Sequence, residues 1–371
     1  MVFQTNTKPL CDALNLGIIN SNVSNFHKKS TIVQVSADAH TLKINVEASM
    51  IKTELKLRGK GEAGSASIFV DSLLLKQLVN TLDSSVVTLD FGEDGLKIIS
   101  GKSKFTLPKM VDASELSLQA PEMFDYSDKG RVIDKTGWKF VKDNQMYSIS
   151  LAFIHPVYTY VWVGESGDVL VGDFDSSLFT HSKKVDIGKT CLLSDTIVNL
   201  FAALPEGSTI LELSNDYIIR YESDSFSYVT QFTPLYESDE EVGSYNSEII
   251  LDMMQHPEGY TEVKTDPIVK LLNQSILLSS STSDTVTSDT VHLSVADNSL
   301  RIQDNSVDGI IDAVGDSSIR YELDFSLDSL KSVLSSYNSE FIYISPLVRD
   351  EETVGIIVWD ADLTTVLAGV E

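Results

Sequence analysis

The sequence predicts an α+β chain of three tandem domains, each with two helices packed on two antiparallel sheets. Two observations carry this expectation. A pattern of amphipathic helix, polar break and alternating apolar strands recurs three times along 371 residues, at a period of about 120–130 residues. Within each copy the apolar spacing switches between the helical period and the strand period of two. A chain of this length also exceeds what one core usually holds.

The first copy opens with a helical stretch, "NTKPLCDALNLGIIN" (6–20). A strand, a turn and a strand follow in "STIVQVSADAHTLKINVEA" (30–48), and "MIKTELKL" (50–57) alternates as a further strand. Then comes "RGKGEAG", with Gly59, Gly61 and Gly64 at the G-x-G-x-x-G spacing of a dinucleotide fingerprint. That motif functions only when it opens a helix whose N-terminus receives the pyrophosphate. Here the extended run "SASIFV" follows, so the glycines read as a connection between strands. From Asp71 the chain reads helix, break, strand, turn and strands through "SGKSKFTL".

The second copy repeats this plan. A helix is expected in "DKTGWKFVKDNQMYSISLA" (134–152), a hairpin in "YTYVWVGESGDVLVGDFD" (158–175), and a helix with strands from Ser194. The third copy has a helix in "DPIVKLLNQSILLSS" (266–280), with Asp266 at the N-cap and Pro267 at the first helical position. It has a hairpin in "DTVHLSVADNSLRIQDN" (289–305) and a helix with strands from Ser326. Asp71, Ser194 and Ser326 each stand where a cap is wanted. Boundaries are expected near "LQAPE" and in the acidic run "YESDEEVGSYNS", giving domains 1–120, 121–246 and 247–371. The Ser/Thr/Asp run at 279–290 reads as a flexible loop.

Composition excludes several function classes. Hydrophobic residues make up 42% and aromatics 8%, the range of a folded globular protein. The formal net charge of −26 argues against a basic nucleic-acid binder, though not against cations gathered on one surface. Seven lysines lie on the expected helices: Lys8, Lys76, Lys135, Lys139, Lys142, Lys270 and Lys331. Most of the 54 acids lie elsewhere. Cys11 and Cys191 lack any C-x-x-C spacing and read as reduced, buried thiols of a cytoplasmic protein. The N-terminus does not look like a signal peptide, and no apolar run reaches membrane-spanning length.

No catalytic constellation emerges. The six histidines show no metal spacing, and neither a Walker motif nor G-x-S-x-G occurs. Asp173 and Asp175 read as a polar strand end rather than a cation site. Trp138, Trp162 and Trp359 read as core or interface side chains. Neither a cofactor nor a metal is expected.

The segment "SGKSKFTLPKMVDASEL" (100–116), with "LLLKQLVNTLDSSVVTL" before it, resembles the first domain of the bacterial-type DNA polymerase sliding clamp, the processivity β subunit. The pattern match spans the whole chain. At residue level it is strongest in the first domain, fair in the third and weak in the second. Two departures stand out. The family's T-D-G-H-R-L motif is replaced by Gly172-Asp173-Phe174-Asp175-Ser176-Ser177-Leu178, and its M-P-M-R-L-like tail by Val366-Leu367-Ala368-Gly369-Val370-Glu371. A divergent, phage-encoded member would look like this.

The resemblance implies a non-enzymatic homodimeric ring around duplex DNA, tethering the replicative polymerase and opened by a clamp loader, in the cytoplasm of a bacterial or phage-infected cell. Sequence-independent phosphate attraction then falls to Lys28, Lys29, Lys76, Lys135, Lys139, Lys142, Lys270 and Lys331. Partner peptides are expected in an apolar groove near Asp173, Phe174, Leu178, Val366 and Leu367. The ring interface is expected to join the strand bearing Phe105 and Leu107 to the region of Ile276 and Leu277. The competing readings are a β-rich viral structural or scaffold protein and an acidic hydrolase using Asp173 and Asp175.

Overall fold

The computed structural model describes residues 1–18, 32–48, 51–110, 118–121, 130–143, 149–150, 159–173, 178–183, 185, 187–239, 242, 246–279, 290–316 and 318–370. Among them are seven helices: α1 (Thr7–Gly17), α2 (Ser72–Asn80), α3 (Lys135–Asp143), α4 (Asp195–Ala203), α5 (Ser247–Met253), α6 (Thr265–Ser279) and α7 (Leu327–Ser335). The strands pair antiparallel throughout the two units described next.

The chain forms two compact units, 1–142 with 191–236 and 143–190 with 237–371. The first unit holds two sheets. One has five strands, in the order 60–61, 2–6, 86–91, 95–100, 103–108. The other has eight, in the order 131–132, 209–212, 217–222, 226–232, 51–58, 41–48, 32–37, 66–71. The second unit runs 149–150, 159–163, 168–173, 178–183, 363–368, 352–359, 341–349, 261–264, 308–315, 299–303, 290–296, 321–326.

The repeat legible in sequence is present in the elements. Asp71 accepts from Leu74 N at 2.9 Å, Ser194 from Ile197 N at 3.4 Å and Ser326 from Ser329 N at 3.4 Å, so α2, α4 and α7 start alike. Each helix is preceded by a strand (66–71, 191–194, 321–326) and followed by three more. The expected hairpins lie at 32–37/41–48, 159–163/168–173 and 290–296/299–303. The last turns on Asp297 and Asn298, both with positive φ, the conformation of a two-residue hairpin loop.

Four expectations are corrected. A short strand not anticipated from sequence opens each copy (2–6, 131–132, 261–264), because two to five residues carry too little periodicity to read. The second-copy helix stops at Asp143, and Ile149–Ser150 is already a strand paired with Thr159–Tyr160. α6 begins at Thr265, which places Asp266 inside the first turn rather than at the cap. Finally α5, capped by Asn246 onto Ile249 N at 3.2 Å, emerges from what had read as a plain acidic boundary.

The glycine run explains itself. No helix opens until Ser72. Gly61 pairs with Phe3, and a Cβ on Gly59 would stand 2.3 Å from the Gln4 carbonyl oxygen. Close backbone approach, not phosphate, demands these residues.

Alternation buries one face of each strand. Val33, Val35 and Ala37 lie inside along one strand, and Leu42, Ile44 and Val46 along its partner. In the first unit Trp138 of α3 stacks on Phe201 of α4 at 4.2 Å, and Phe232 meets Phe201 edge-on at 5.9 Å. Such contacts add about 0.5–1.5 kcal/mol each beyond the area they bury. Trp138, Trp162 and Trp359 are all buried, as expected. So is Cys191, while Cys11 is half-buried on α1 and donates to the Val79 carbonyl at 3.4 Å; neither takes part in a disulfide.

Candidate functional site

The helices pair as α1 with α2, α3 with α4, and α6 with α7. Asn15 and Asn80 exchange amide hydrogen bonds at 3.2 and 3.0 Å between α1 and α2. Lys76 is committed to this contact. Its ammonium donates to the Ile18 carbonyl at 2.6 Å, beyond the C-terminus of α1, and burial lowers its pKa. This is a C-terminal capping arrangement.

The other expected cations divide by exposure. Lys8, Lys135, Lys139, Lys142 and Lys270 are exposed, and Lys331 is half-buried. Lys135, Lys139 and Lys142 stand at i, i+4 and i+7 on α3, opposite the buried Trp138 and Val141. They form one cationic stripe on a helix whose other face is core. Lys28 and Lys29 lie outside the described residues.

Two seams join successive copies of the repeat. In the first unit strand 51–58 pairs with 226–232, bringing Thr53 opposite Thr230. In the second unit 178–183 pairs with 363–368, bringing Thr180 opposite Thr365. By repeat position, 51–58, 178–183 and 308–315 are one class of strand, and 226–232, 363–368 and 103–108 another. One member of each class has an open edge among the described residues. Strand 103–108 ends the five-stranded sheet. Strand 308–315 gives Asp308–Asp312 to 299–303, while 261–264 reaches only Ala313–Gly315, so the other side of 308–312 is open.

The expected interface residues sit near these edges. Phe105 is 37% exposed on the edge strand, whereas Leu107 is buried. Both line a cavity of about 410 Å³ with Leu74 and Leu78 of α2. Leu277 is 71% exposed on α6 and Ile276 half-buried. Sequence reasoning missed Ile310 and Val314, which are 69% and 70% exposed on strand 308–315. Their signal was the run "GIIDAVG", apolar at adjacent positions where a one-sided strand should alternate.

The expected peptide groove is brought together in part. Leu178 pairs with Leu367 and Phe179 with Val366 along the second seam, so the backbone unites the two segments. Val366 and Leu367 are themselves buried, each 3% exposed, and finish the last strand inside its sheet. Asp173 ends strand 168–173, and Phe174 lies outside the described residues.

A second concavity flanks α5 in the second unit. Towards its C-terminal end a groove of about 530 Å³ is lined by His181, Met254, His256, Asp362 and Leu363, among others. Towards its N-terminal end, one of about 510 Å³ is lined by Trp162, Glu165, Glu237 and Glu248. Leu251 of α5 lines both. His181 Nε2 meets Asp168 Oδ1 at 2.7 Å. His256 Nε2 meets Thr364 Oγ1 at 2.8 Å, and its ring stacks on Trp359 at 4.8 Å. Burial, then the neighbouring His181, lower the pKa of His256 from its ordinary 6.5. Among the described residues no three His, Cys, Asp or Glu side chains gather as a metal site. No helix among them is long and apolar enough to cross a membrane.

No family model matches this sequence, and no curated protein matches it. Solved structures match its fold along the entire chain. The DNA polymerase III beta subunit of Thermotoga maritima superposes with a TM-score of 0.73 at 12% identity, covering 100% of this chain and 99% of its own. The beta chain from Streptococcus pneumoniae gives 0.72 at 16%, with coverage of 100% and 99%. A DNA polymerase sliding clamp from Pseudomonas aeruginosa gives 0.72 at 13%, with 100% of each chain covered. The chain therefore has the sliding-clamp fold.

Proposed function

We propose that this protein is a DNA sliding clamp: a binding protein without an active site, which closes as a homodimer around duplex DNA and tethers a polymerase. One observation carries the ring. Two seams of the same kind lie within the chain, and one strand of each class, 103–108 and 308–315, has an open edge among the described residues. Pairing the open edge of one copy with that of another repeats the existing seam, a head-to-tail contact that closes if the rotation closes. The three domains, 1–120, 121–246 and 247–371, then become six in a dimer. The full-length likeness to solved clamps supports the same reading.

The ring's work requires weak attraction to phosphate without base readout, since base contacts would arrest sliding. The stripe of Lys135, Lys139 and Lys142, with Lys8 and Lys270, suits that need; Lys28 and Lys29 are further candidates. The acidic remainder discourages DNA elsewhere on the surface. Polymerase and clamp-loader peptides dock near Leu178 and Leu367, with Asp173 favouring basic ligands. A cytoplasmic location follows from this role.

The test is retention on DNA of two topologies. Protein loaded on nicked circular duplex should co-migrate through a sizing column and be lost when the circle is linearised. Equal retention on both forms would contradict encirclement.

A further inference from the structure

We propose that the concavity flanking α5 is a separate docking site, and that its occupant is a short basic segment of a partner protein with an aliphatic anchor. It is distinct in place from the expected peptide groove. That groove lies at the Leu178–Leu367 end of the second seam, and the α5 concavity at the Ser182–Leu363 end. Four residues of strand separate them, about 13 Å.

Shape, charge and a spare donor support a peptide. The two cavities, of about 530 and 510 Å³, share Leu251 and meet the two ends of one face of α5, so an extended segment can run along that face from one to the other. Leu251, Met254 and Leu363 supply the apolar floor. Six carboxylates line the concavity: Glu165, Asp168, Glu237 and Glu248 on one side, Asp360 and Asp362 on the other. Neither Lys nor Arg occurs among the described lining residues. Asp168 is engaged by His181 and Ser166, Asp360 by Ser339 and two backbone amides, and Glu237 by the Ser247 amide at 3.3 Å, so Glu165 and Glu248 contribute much of the attraction. Trp162, 5% exposed, adjoins the acidic side, and its indole N–H has no hydrogen-bond partner among the described residues. A peptide carbonyl is the natural acceptor for such a donor.

Charge also selects against other occupants. The carboxylates of this lining, with neither Lys nor Arg beside them among the described lining residues, repel nucleic acid from this place. Low-dielectric walls beside one sign of charge raise the local concentration of cations, and an apolar floor asks for more than a bare polyamine.

The experiment titrates a fluorescent probe of three Lys-Leu-Arg repeats against the full chain. One variant neutralises the concavity with Glu165→Gln, Glu248→Gln and Asp362→Asn. A matched variant neutralises the distant hairpin with Asp350→Asn, Glu351→Gln and Glu352→Gln. The concavity variant should bind at least about tenfold more weakly, and the hairpin variant within about twofold of wild type. Equal weakening in both, or equal affinity for a probe with Gly in place of Leu, would overturn the proposal in favour of unspecific polycation attraction. Displacement of the probe by an equal charge of spermine would do the same. Retention on circular DNA, measured on the same variants, reports on the ring separately, so either reading can fail alone.

Discussion

Thr53 and Thr230 face one another across the first seam, with both side chains buried and their hydroxyls hydrogen-bonded. Thr230 Oγ1 also donates to the Lys52 carbonyl at 3.2 Å. The second seam repeats the device. Thr180 and Thr365 stand opposite one another, buried, with Oγ1 atoms 3.4 Å apart. Each strand seam between successive repeats thus carries a small polar pair inside an apolar sheet. Such a pair penalises a slipped register, because a one-residue shift turns one strand over and parts the two hydroxyls.

Thr230→Val should therefore destabilise the first unit by about 1–3 kcal/mol, since it leaves the Thr53 hydroxyl buried without that partner. Thr53→Val with Thr230→Val should cost less than the sum of the single changes. Thermal melts of the three variants check this; strict additivity would mean the hydroxyls do not interact.

The open edge of strand 308–315 makes a sharper interface test than the residues expected from sequence. Ile310 and Val314 are mostly exposed, so Ile310→Lys with Val314→Lys should leave the fold intact. Sedimentation velocity should show dimer converted to monomer. An unchanged dimer would exclude this edge from the ring contact. Ile276→Ala with Leu277→Ala tests the α6 assignment beside it.

The fold was legible where periodicity and capping agree. Asp71, Ser194 and Ser326 mark three equivalent helix starts in the sequence, and each side chain caps as expected. The site was less legible, for physical reasons. The open edges exist only because two strands lack, among the described residues, partners that their equivalents possess, and pairing leaves no mark in local sequence. Lys76 looked like any helix-surface lysine until α1 placed the Ile18 carbonyl within its reach. α5 was hidden by its surroundings: Asn246 and the apolar spacing of Ile250, Leu251 and Met254 were present, but charges on either side masked them.

The hairpin joining 341–349 to 352–359 turns on Asp350 and Glu351, with φ of 52° and 69°. Asp tolerates this left-handed region, but Glu has no side-chain means of relieving it. Glu351→Gly should raise stability by roughly 0.5–1 kcal/mol, the relief of strain exceeding the added chain entropy. A lower melting temperature for this variant would show that the turn is not strained.

His256 gives the protein a pH dependence near neutrality. Its folded pKa is lowered from 6.5, so the unfolded chain binds more protons as pH falls through that value. Stability should decline as pH drops below about 6.5 and level off once the folded form also protonates. The charged groups around it are His181, itself held by Asp168, and the Asp360 and Asp362 carboxylates that line the same groove. His256→Gln should flatten the curve between about pH 5 and 7, leaving the acid loss from Asp38, Asp308 and Asp316, whose pKa values are lowered from 3.8, at much lower pH. An unaltered slope near 6 would assign the effect to another group.

The cationic stripe on α3 makes the most direct prediction about DNA. Lys135, Lys139 and Lys142 project from one exposed face, while Trp138 and Val141 anchor the other in the core. Replacing all three by Gln keeps helix propensity nearly constant and removes three charges without opening a cavity. If each meets a phosphate, the slope of log affinity against log salt should shrink by about 0.9 per contact on duplex DNA, and by the same amount for any sequence. Affinity measured at several salt concentrations on two unrelated duplexes checks both statements. The matched change at Lys76 should behave differently. Lys76→Gln removes a bond to the Ile18 carbonyl, so its cost should fall on stability and leave the salt slope nearly unchanged. A weakened slope for Lys76→Gln and an intact one for the α3 variant would exchange the roles of the two helices and place the DNA against α2.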